Sequence, residues 1–256
     1  MATEDAESVH YHYRTKAEVP WDIQNYWAQR YKIFSKYDEG VWLTDDAWFG
    51  VTPEPVANKI ALHMAQAAPE KKCILIDAFA GAGGNTIAFA KSNRWKRVYA
   101  IEKDRETLKC AKHNAELYGV ADKITWFVGD CFELLQNQLK DLAPYSVIFG
   151  SPPWGGPGYR SDTVFNLSTM EPYSLEFLHA EFSKFTRDVV LFLPRTSDLR
   201  QLAATTAPGK KSLVMHYCSE GASKALLTLL LYQTFSHSSN NYIFFAIYQQ
   251  HKEGVK

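Results

Sequence analysis

The feature of this sequence that constrains the fold most is an alternation of short β-branched runs and helical stretches from residue 73 onward. Such alternation is typical of a parallel sheet whose strands are joined by crossover helices. It predicts strands at residues 73–77, 97–102, 124–129, 145–150, 188–193, 212–217 and 224–232. It predicts helices at residues 84–91, 104–118, 131–139 and 174–185. We expect a doubly wound, Rossmann-like α/β fold of seven strands, with ligands at the carboxyl ends of the strands.

The region before this sheet has a helical pattern. Trp27, Tyr31 and Phe34 recur at i, i+4 and i+7, which predicts one face of a helix. Thr52 followed by Pro53 predicts the start of a second helix, with Thr52 as its N-cap and Pro53 at its first position. Apolar residues then repeat every fourth position along that second helix: Val56, Ile60 and Met64.

These patterns divide the chain into four segments. They are a flexible leader (1–19), a small N-terminal helical subdomain (20–70), the α/β domain (71–232) and an atypical tail (233–256). The aromatic run at residues 242–248 in the tail could form an extra edge strand, a partner-binding segment or an aggregation-prone strand.

The composition excludes several classes of protein. Basic and acidic residues balance at 28 each, whereas a non-specific nucleic-acid coat needs a basic excess. No apolar run approaches the roughly 20 residues of a membrane span, so we expect no membrane association. The four cysteines are widely spaced, which predicts no metal site and a reducing compartment. We expect Lys71 and Lys72 to lie on a solvated face.

The loop after the first predicted strand, residues 77–86, indicates a ligand. Its glycines allow a tight turn and bring a helix N-terminus close to a bound molecule. A dinucleotide fingerprint would read GxGxxG, but here Asp77 precedes the first glycine, which suits a cationic amino-acid head. Glu102 is placed for two ribose hydroxyls, and Asp130 for an adenine amino group. A ligand-free turn is the alternative for the glycines alone. The predicted ligand is S-adenosylmethionine, held by Asp77, Phe79, Gly81, Gly83, Asn85, Thr86, Glu102 and Asp130.

A second loop, Ser-Pro-Pro-Trp at residues 151–154, follows the fourth predicted strand. Its prolines hold the backbone extended, so its carbonyls are open to donors. We expect Ser151 and Pro152 to hold an amino group for in-line attack on a sulfonium methyl, because positioning must activate such a poor nucleophile. Trp154 offers a face on which a base can stack. The alternative is a structural turn with a buried tryptophan. The predicted catalytic residues are Ser151, Pro152 and Trp154.

Four segments together resemble the trimethylguanosine synthase family: YWAQRYKIFSKYDEG, WFGVTPE, DAFAGAGGNT and SPPWGGPGY. The resemblance covers roughly residues 20–232. It implies a class I S-adenosylmethionine-dependent methyltransferase fold. It also implies two successive methyl transfers to the exocyclic N2 of a 7-methylguanosine cap, on small nuclear and small nucleolar RNAs.

The same resemblance implies further site residues. Phe34 and Thr52 would close over the cofactor. The cap-binding residues would be Asn114, which contacts the base, Trp154, which stacks on the methylated guanine, and Arg195, which binds the cap phosphates. The sequence departs from the family at two points. Asn25 stands where relatives carry a lysine, and Glu102 replaces the usual aspartate.

Two alternatives share parts of this pattern. One is an N6-adenine or ribosomal N2-guanine methyltransferase, and the other is a non-enzymatic cap-binding module. The preferred interpretation implies a capped small RNA as partner, with small ribonucleoprotein proteins delivering it. It also implies a monomer in the nucleus or nucleolus, with the cytoplasm as second choice.

Overall fold

The computed structural model describes residues 11–156, 162–206, 213–219, 222–230 and 244–248. The strands of these residues are β1 (Ile74–Asp77), β2 (Arg97–Glu102), β3 (Ile124–Val128), β4 (Ser146–Gly150), β5 (Val189–Pro194), β6 (Leu213–Ser219), β7 (Ala222–Leu230) and β8 (Phe244–Tyr248). The helices are α1 (Gln24–Trp27), α2 (Arg30–Ile33), α3 (Asp45–Gly50), α4 (Glu54–Ala67), α5 (Gly84–Lys91), α6 (Arg105–Leu117), α7 (Cys131–Gln136), α8 (Leu175–Phe185) and α9 (Leu199–Ala204). None of these helices is both long and apolar enough to cross a membrane.

The described strands form one sheet in the order β3-β2-β1-β4-β5-β7-β6-β8. Strands β1 to β5 are parallel, while β7 runs antiparallel to both of its neighbours. All seven predicted strands are confirmed, each within two residues of the predicted bounds. The strand order reverses between β1 and β4, and ligands of such sheets bind outside the carboxyl ends at that point.

An eighth strand extends the sheet beyond the prediction. Strand β8 pairs in parallel with β6, from Leu213 opposite Phe244 to Tyr217 opposite Tyr248. The aromatic run of the tail therefore forms an edge strand, which is one of the three alternatives for that segment. Residues 231–243 and 249–256 lie outside the described residues.

The sheet separates two apolar layers. Neighbouring residues of β1 point to opposite faces, so Leu75 packs in one layer and Ile76 in the other. The Leu75 layer includes the N-terminal helical region together with α4, α5 and α6. The Ile76 layer is built from α7, α8 and α9. The N-terminal helices therefore share a continuous core with the sheet.

The N-terminal leader is ordered from residue 11 onward, which corrects the prediction of a flexible segment. The Tyr13 side chain is buried, and its hydroxyl donates to Asp45 Oδ1 at 2.6 Å. The Tyr37 hydroxyl donates to the Tyr13 carbonyl at 2.9 Å. These contacts join residues far apart in sequence, so no local pattern shows them. Residues 1–10 lie outside the described part of the chain.

The predicted first helix is broken into α1 and α2. Phe34 is buried, but Tyr31 is 49% exposed, so the predicted common face with Trp27 is wrong. The Arg30 guanidinium lies 3.8 Å from the Trp27 ring centroid and 4.3 Å from that of Tyr31. Tyr31 therefore lies on Arg30 at the surface, whereas Trp27 is half-buried and packs against the core. In α4, by contrast, all three predicted apolar positions are buried: Val56, Ile60 and Met64.

Lys72 is buried, which corrects the prediction of a solvated lysine. Its Nζ lies 2.9 Å from Asp188 Oδ2 and donates to the Ser146 carbonyl at 3.2 Å and to Thr186 Oγ1 at 3.3 Å. The pair ties the amino ends of β1, β4 and β5 together. A buried charge is tolerated there because its partners satisfy it.

We predict that Lys72→Met destabilises the protein by about 3 kcal/mol, because it leaves the Asp188 carboxylate buried without a counter-charge. Urea unfolding measures this loss. The double variant Lys72→Met/Asp188→Leu should recover most of it, since no uncompensated charge remains. A single variant as stable as the natural protein would contradict the assignment.

Candidate active site

The turn between β1 and α5 is shaped by two glycines in the left-handed region. Gly81 has φ of 53° and Gly83 has φ of 93°, a region that is costly for other residues. The Gly81 N–H donates to Glu102 Oε2 at 2.8 Å, which ties the turn to the end of β2. A Cβ on Gly83 would lie 3.4 Å from the Ala111 backbone. The turn is thereby held between two neighbouring elements.

Asp77, the last residue of β1, is fully buried at the base of this turn. The Thr86 hydroxyl donates to Oδ2 at 2.6 Å, while Oδ1 has no partner among the described residues. Burial raises the pKa of Asp77 to about 7, although the Thr86 hydroxyl and the Phe79 backbone N–H act in the opposite direction. An ammonium group would satisfy the orphaned oxygen and supply the missing counter-charge. The amino-acid head of S-adenosylmethionine fits this requirement.

The Glu102 carboxylate is held at the end of β2 by two backbone donors. Oε2 accepts from Gly81 and Oε1 accepts from the Asp104 N–H at 2.9 Å. Each oxygen keeps a further lone pair. The half-buried carboxylate therefore has a fixed orientation and free acceptor sites, as the two hydroxyls of a ribose require.

Asp130 is the N-cap of α7. Its Oδ1 accepts from the Phe132 and Glu133 N–H groups at 2.9 and 3.3 Å, and Oδ2 has no partner among the described residues. Phe79 packs beside it, with ring centroids 6.4 Å from Phe132 and 6.0 Å from Tyr173. This edge thus offers one carboxylate oxygen and aromatic walls to an adenine base.

Tyr173 is a residue that sequence reasoning missed. Its ring stacks on Phe177 at 5.5 Å, and burial followed by the Asp130 charge raises the pKa of its hydroxyl. The loop before α8 therefore folds back beside Asp130. A single sequence contains no signal for this return.

Thr52 and Phe34, the two residues of the helical region that are predicted to close over the cofactor, occupy different positions. Thr52 is buried, and its Oγ1 accepts from Asn85 Nδ2 at 2.9 Å, so it lies directly on the first turn of α5. Phe34 is also buried, with its ring centroid 6.0 Å from that of Tyr118. It lines a small groove that includes Gly84. Both are thus brought near the glycine turn.

The loop after β4 lies at the same edge of the sheet. Ser151 and Trp154 are half-buried and Pro152 is buried. The Trp154 Nε1–H donates to the Phe192 carbonyl of β5 at 3.2 Å. The indole ring is thereby fixed in position between the ends of two parallel strands.

Arg195 directly follows β5 and is exposed. No described residue forms an ion pair with it. Its surface neighbour Asp198 pairs instead with Arg200, at 2.7 Å. Arg195 is therefore a cation available to a phosphate at the edge that carries Trp154. Asn25 is exposed in α1.

Asn114 does not have the predicted role of contacting a base. It is fully buried, its Oδ1 accepts from the Trp42 N–H at 2.8 Å, and its Nδ2 donates to the carbonyls of Trp42 and Ala82 at 2.8 and 3.0 Å. Both amide hydrogens are therefore used. The side chain ties the helical region to the glycine turn.

The carboxyl edge of the sheet therefore carries Asp77, Glu102, Asp130, Ser151 and Arg195, each at or just after the end of a successive parallel strand. Within the described ranges, no group of three or more His, Cys, Asp or Glu residues could hold a metal ion.

The comparisons with known proteins agree with this arrangement. The family model for RNA cap guanine-N2 methyltransferases matches residues 72–233. Trimethylguanosine synthase of Schizosaccharomyces pombe is 40% identical over 211 residues, which cover 81% of this chain and 85% of the relative. The chain belongs to the RNA cap guanine-N2 methyltransferase family. The trimethylguanosine synthase of Saccharomyces cerevisiae is 36% identical over 210 residues, which cover 80% of this chain and 66% of the relative.

A crystal structure described as a methyltransferase from Porphyromonas gingivalis W83 has the same fold. It aligns with a TM-score of 0.61 at 17% identity, over 83% of this chain and 51% of that one. The predicted class I fold is confirmed. This cap methyltransferase family member is an S-adenosylmethionine-dependent enzyme.

We predict that Asp77→Asn stabilises the cofactor-free enzyme at pH 8. The folded-state pKa is raised to about 7, so ionisation costs stability as the pH rises from about 4 through 7. The variant avoids that cost, which is about 4 kcal/mol at pH 8. Thermal unfolding should show that the variant's gain in stability over the natural protein is larger at pH 8 than at pH 5.

The same substitution should weaken S-adenosylhomocysteine binding about tenfold or more at pH 8, because the ammonium loses its counter-charge. Calorimetric titration should also show the natural enzyme binding more weakly below pH 7, where Asp77 is protonated. A variant that binds as tightly as the natural enzyme would refute the ammonium contact.

We predict that Asn114→Ala lowers the stability of the ligand-free enzyme by about 3 kcal/mol, because buried backbone groups of Trp42 and Ala82 lose their partners. Asn137→Ala, at the exposed end of α7, is the control and should cost less than about 1 kcal/mol. Unchanged stability with weaker cap binding would instead support the base contact.

Proposed function

We propose that the protein transfers methyl groups from S-adenosylmethionine to the exocyclic N2 of a 7-methylguanosine RNA cap. Two successive transfers would give the 2,2,7-trimethylguanosine cap. The family membership supports the reaction type. The observation that carries the proposal is the Trp154 ring, held by Phe192 at the sheet edge that also carries Asp77 and Arg195, an arginine with no ion-pair partner among the described residues.

The cofactor, when bound, supplies an electrophilic methyl group on a positively charged sulfur. Asp77 Oδ1 would accept from its ammonium, Glu102 from its ribose and Asp130 from its adenine amino group. These three carboxylates end three neighbouring parallel strands, so they form one row of acceptors with a fixed order. That order matches a ligand with an amino-acid head, a ribose and a base.

The Trp154 indole recognises the methylated base. Its Nε1–H is already used by the Phe192 carbonyl, so the ring cannot turn edge-on without losing that bond. N7-methylation gives the guanine a delocalised positive charge, and a cation is attracted to an indole face. Stacking alone contributes about 1–3 kcal/mol, and the charge explains a preference for the 7-methylated base.

Ser151 and Pro152 position the reacting amine. No described donor is hydrogen-bonded to their carbonyl oxygens, and Pro153 contributes no N–H to the loop. Those carbonyls can accept from the N2 hydrogens and direct the nitrogen lone pair toward the methyl group. Holding the two reactants in line supplies a large part of the acceleration. The amine becomes more acidic as it is alkylated and then loses its proton to Ser151 or water.

The amine carries two hydrogens and loses one in each transfer. After the first transfer one N–H donor remains for the carbonyls, so the same loop can orient the monomethylated amine for the second. Once dimethylated, N2 has no hydrogen left to donate. This supports two additions and no third.

The RNA substrates, partners and location belong to the same proposal. Small nuclear and small nucleolar RNAs are the proposed substrates, delivered by small ribonucleoprotein proteins to a monomeric enzyme. The zero net charge supports delivery by partners, because it gives little attraction for RNA beyond the cap. The proposed location is the nucleus or nucleolus, with the cytoplasm as second choice.

Mass spectrometry of 7-methylguanosine diphosphate and guanosine diphosphate, each incubated with enzyme and S-adenosylmethionine, tests the reaction. We expect one and then two methyl groups on the 7-methylated substrate alone. No addition to either substrate, with the cofactor still bound, would refute cap methylation and favour an adenine or ribosomal guanine substrate.

We predict that Trp154→Ala lowers cap methylation at least about 100-fold, because both the stack and the cation–π attraction are lost. S-adenosylhomocysteine affinity should stay within about threefold, since Trp154 does not hold the cofactor. Trp154→Phe keeps a ring and should retain more activity than the alanine variant. Full turnover by Trp154→Ala would show that the stacking role is wrong.

A further inference from the structure

Arg195 occupies a tight turn at the end of β5. The Pro194 carbonyl accepts from the Ser197 N–H at 3.1 Å and from the Ser197 hydroxyl at 2.7 Å. Arg195 and Thr196 are therefore the two central residues of this turn. Ser197 is buried, whereas the Arg195 side chain is exposed. The position of the guanidinium thus depends on how firmly the turn itself is held.

A second part of the chain pairs with this turn. It is residues 165–168, which follow the Trp154 loop in the sequence and are termed the exit segment. The Phe165 N–H donates to the Thr196 carbonyl at 2.7 Å, and the Asp198 N–H donates to the Phe165 carbonyl at 3.0 Å. The turn that carries Arg195 is thereby bound on its outer side to the exit segment.

The side chain of Gln201, in α9, fastens the exit segment in place. Its Oε1 accepts from the Leu167 N–H at 2.7 Å. Its Nε2 donates to Asn166 Oδ1 at 2.6 Å and to Ser168 Oγ at 2.8 Å. A primary amide has two hydrogens to donate, so both are used. One side chain therefore binds three consecutive residues, of which Leu167 is fully buried.

The direction of these bonds requires an amide at this position. The Ser168 hydroxyl donates its one hydrogen to Glu176 Oε1 at 2.5 Å, and this bond lowers the pKa of Glu176. Ser168 can therefore only accept from Gln201. A side chain without an N–H donor would lose the bonds to Ser168 and Asn166.

The Trp154 ring is held by a separate contact. Its Nε1–H donates to the carbonyl of Phe192, which precedes the turn within β5. Loosening the exit segment should therefore leave the stacking face in place and displace the Arg195 guanidinium. A guanidinium binds phosphate oxygens through N–H donors of fixed geometry, so its position affects the affinity for a phosphate.

We propose that Gln201 is a positioning residue that holds the Arg195 turn, through the exit segment, where its guanidinium meets the cap phosphates. This inference rests on the proposed function, since it assumes a phosphate-bearing cap as the substrate. Gln201 acts on the substrate without touching it, because its amide is fully used within the protein. It separates recognition of the phosphates from recognition of the base.

The test uses Gln201→Met, which keeps the length of the side chain and removes its three hydrogen bonds. Steady-state kinetics with saturating S-adenosylmethionine give KM and kcat for 7-methylguanosine diphosphate. The phosphate-free nucleoside, 7-methylguanosine, is measured as a competitor. We expect KM to rise roughly tenfold with kcat within about twofold. The inhibition constant of the nucleoside should stay within about twofold, since the ring stack is unchanged.

A double-mutant cycle with Arg195→Ala decides whether Gln201 acts through Arg195. Arg195→Ala alone should raise KM for the diphosphate at least as much as Gln201→Met does. In the Arg195→Ala background, Gln201→Met should raise KM further by less than about twofold, because the group through which it acts is gone.

Gln136→Met is the matched control. Gln136 lies at the end of α7, where its Nε2 donates to Glu181 Oε2 at 3.2 Å, so this variant also removes a glutamine side-chain hydrogen bond. It should leave KM, kcat and the nucleoside inhibition constant unchanged. Thermal unfolding without ligand shows whether each variant is folded.

The outcomes separate this inference from the proposed function. An unchanged KM in Gln201→Met, or effects of Gln201→Met and Arg195→Ala that multiply, would overturn the inference alone. Equal losses for the diphosphate and the nucleoside would also overturn it, because a general loosening of the site would weaken the ring stack too. Natural enzyme that methylates neither 7-methylguanosine nor its diphosphate, with the cofactor bound, would instead refute the proposed function.

Discussion

A fully buried carboxylate at the end of the central strand is the constraint on which the site depends. Asp77 has one oxygen held by Thr86 and the other unsatisfied, so the ligand-free fold carries an electrostatic cost that burial imposes. The fold tolerates this cost because the rest of the sheet is well packed and because the Lys72–Asp188 pair at the opposite edge is fully satisfied. The charge balance is thus asymmetric between the two ends of the strands: it is complete around Lys72 at the amino ends and incomplete around Asp77 at the carboxyl ends.

The glycine turn above Asp77 is held from several directions, and each contact has a different origin. Glu102 holds it from β2, Asn114 from α6 and Thr52 from the helical region. A flexible turn of this kind would otherwise sample many conformations, and ordering it on binding would reduce affinity. The helical region therefore supports the cofactor site by restricting this turn.

The sequence alone predicts the sheet and the row of acids because both follow from local rules. Periodicity locates the strands, and parallel strands place their carboxyl ends at one edge, so Asp77, Glu102 and Asp130 meet there. The failures share one cause. Asn114 and Lys72 have long-range partners, and neither the base contact expected of Asn114 nor the solvated face expected of Lys72 takes account of the segments that cover them. Tertiary contacts decide such residues, and no local pattern records them.

The same reasoning explains how a protein with no net charge can bind a capped RNA. Net charge governs non-specific attraction, whereas in the proposed function the cap is recognised by a few groups at the carboxyl edge of the sheet. Arg195 has no ion-pair partner among the described residues, although Asp198 is only three positions away, because Asp198 is already bound to Arg200. Trp154 is held by the backbone carbonyl of Phe192, in the strand that Arg195 follows. In the proposed function, specificity for a methylated, phosphate-bearing base comes from one fixed ring and from one arginine without an ion-pair partner among the described residues. Cap recognition would then not require a net positive charge on the protein.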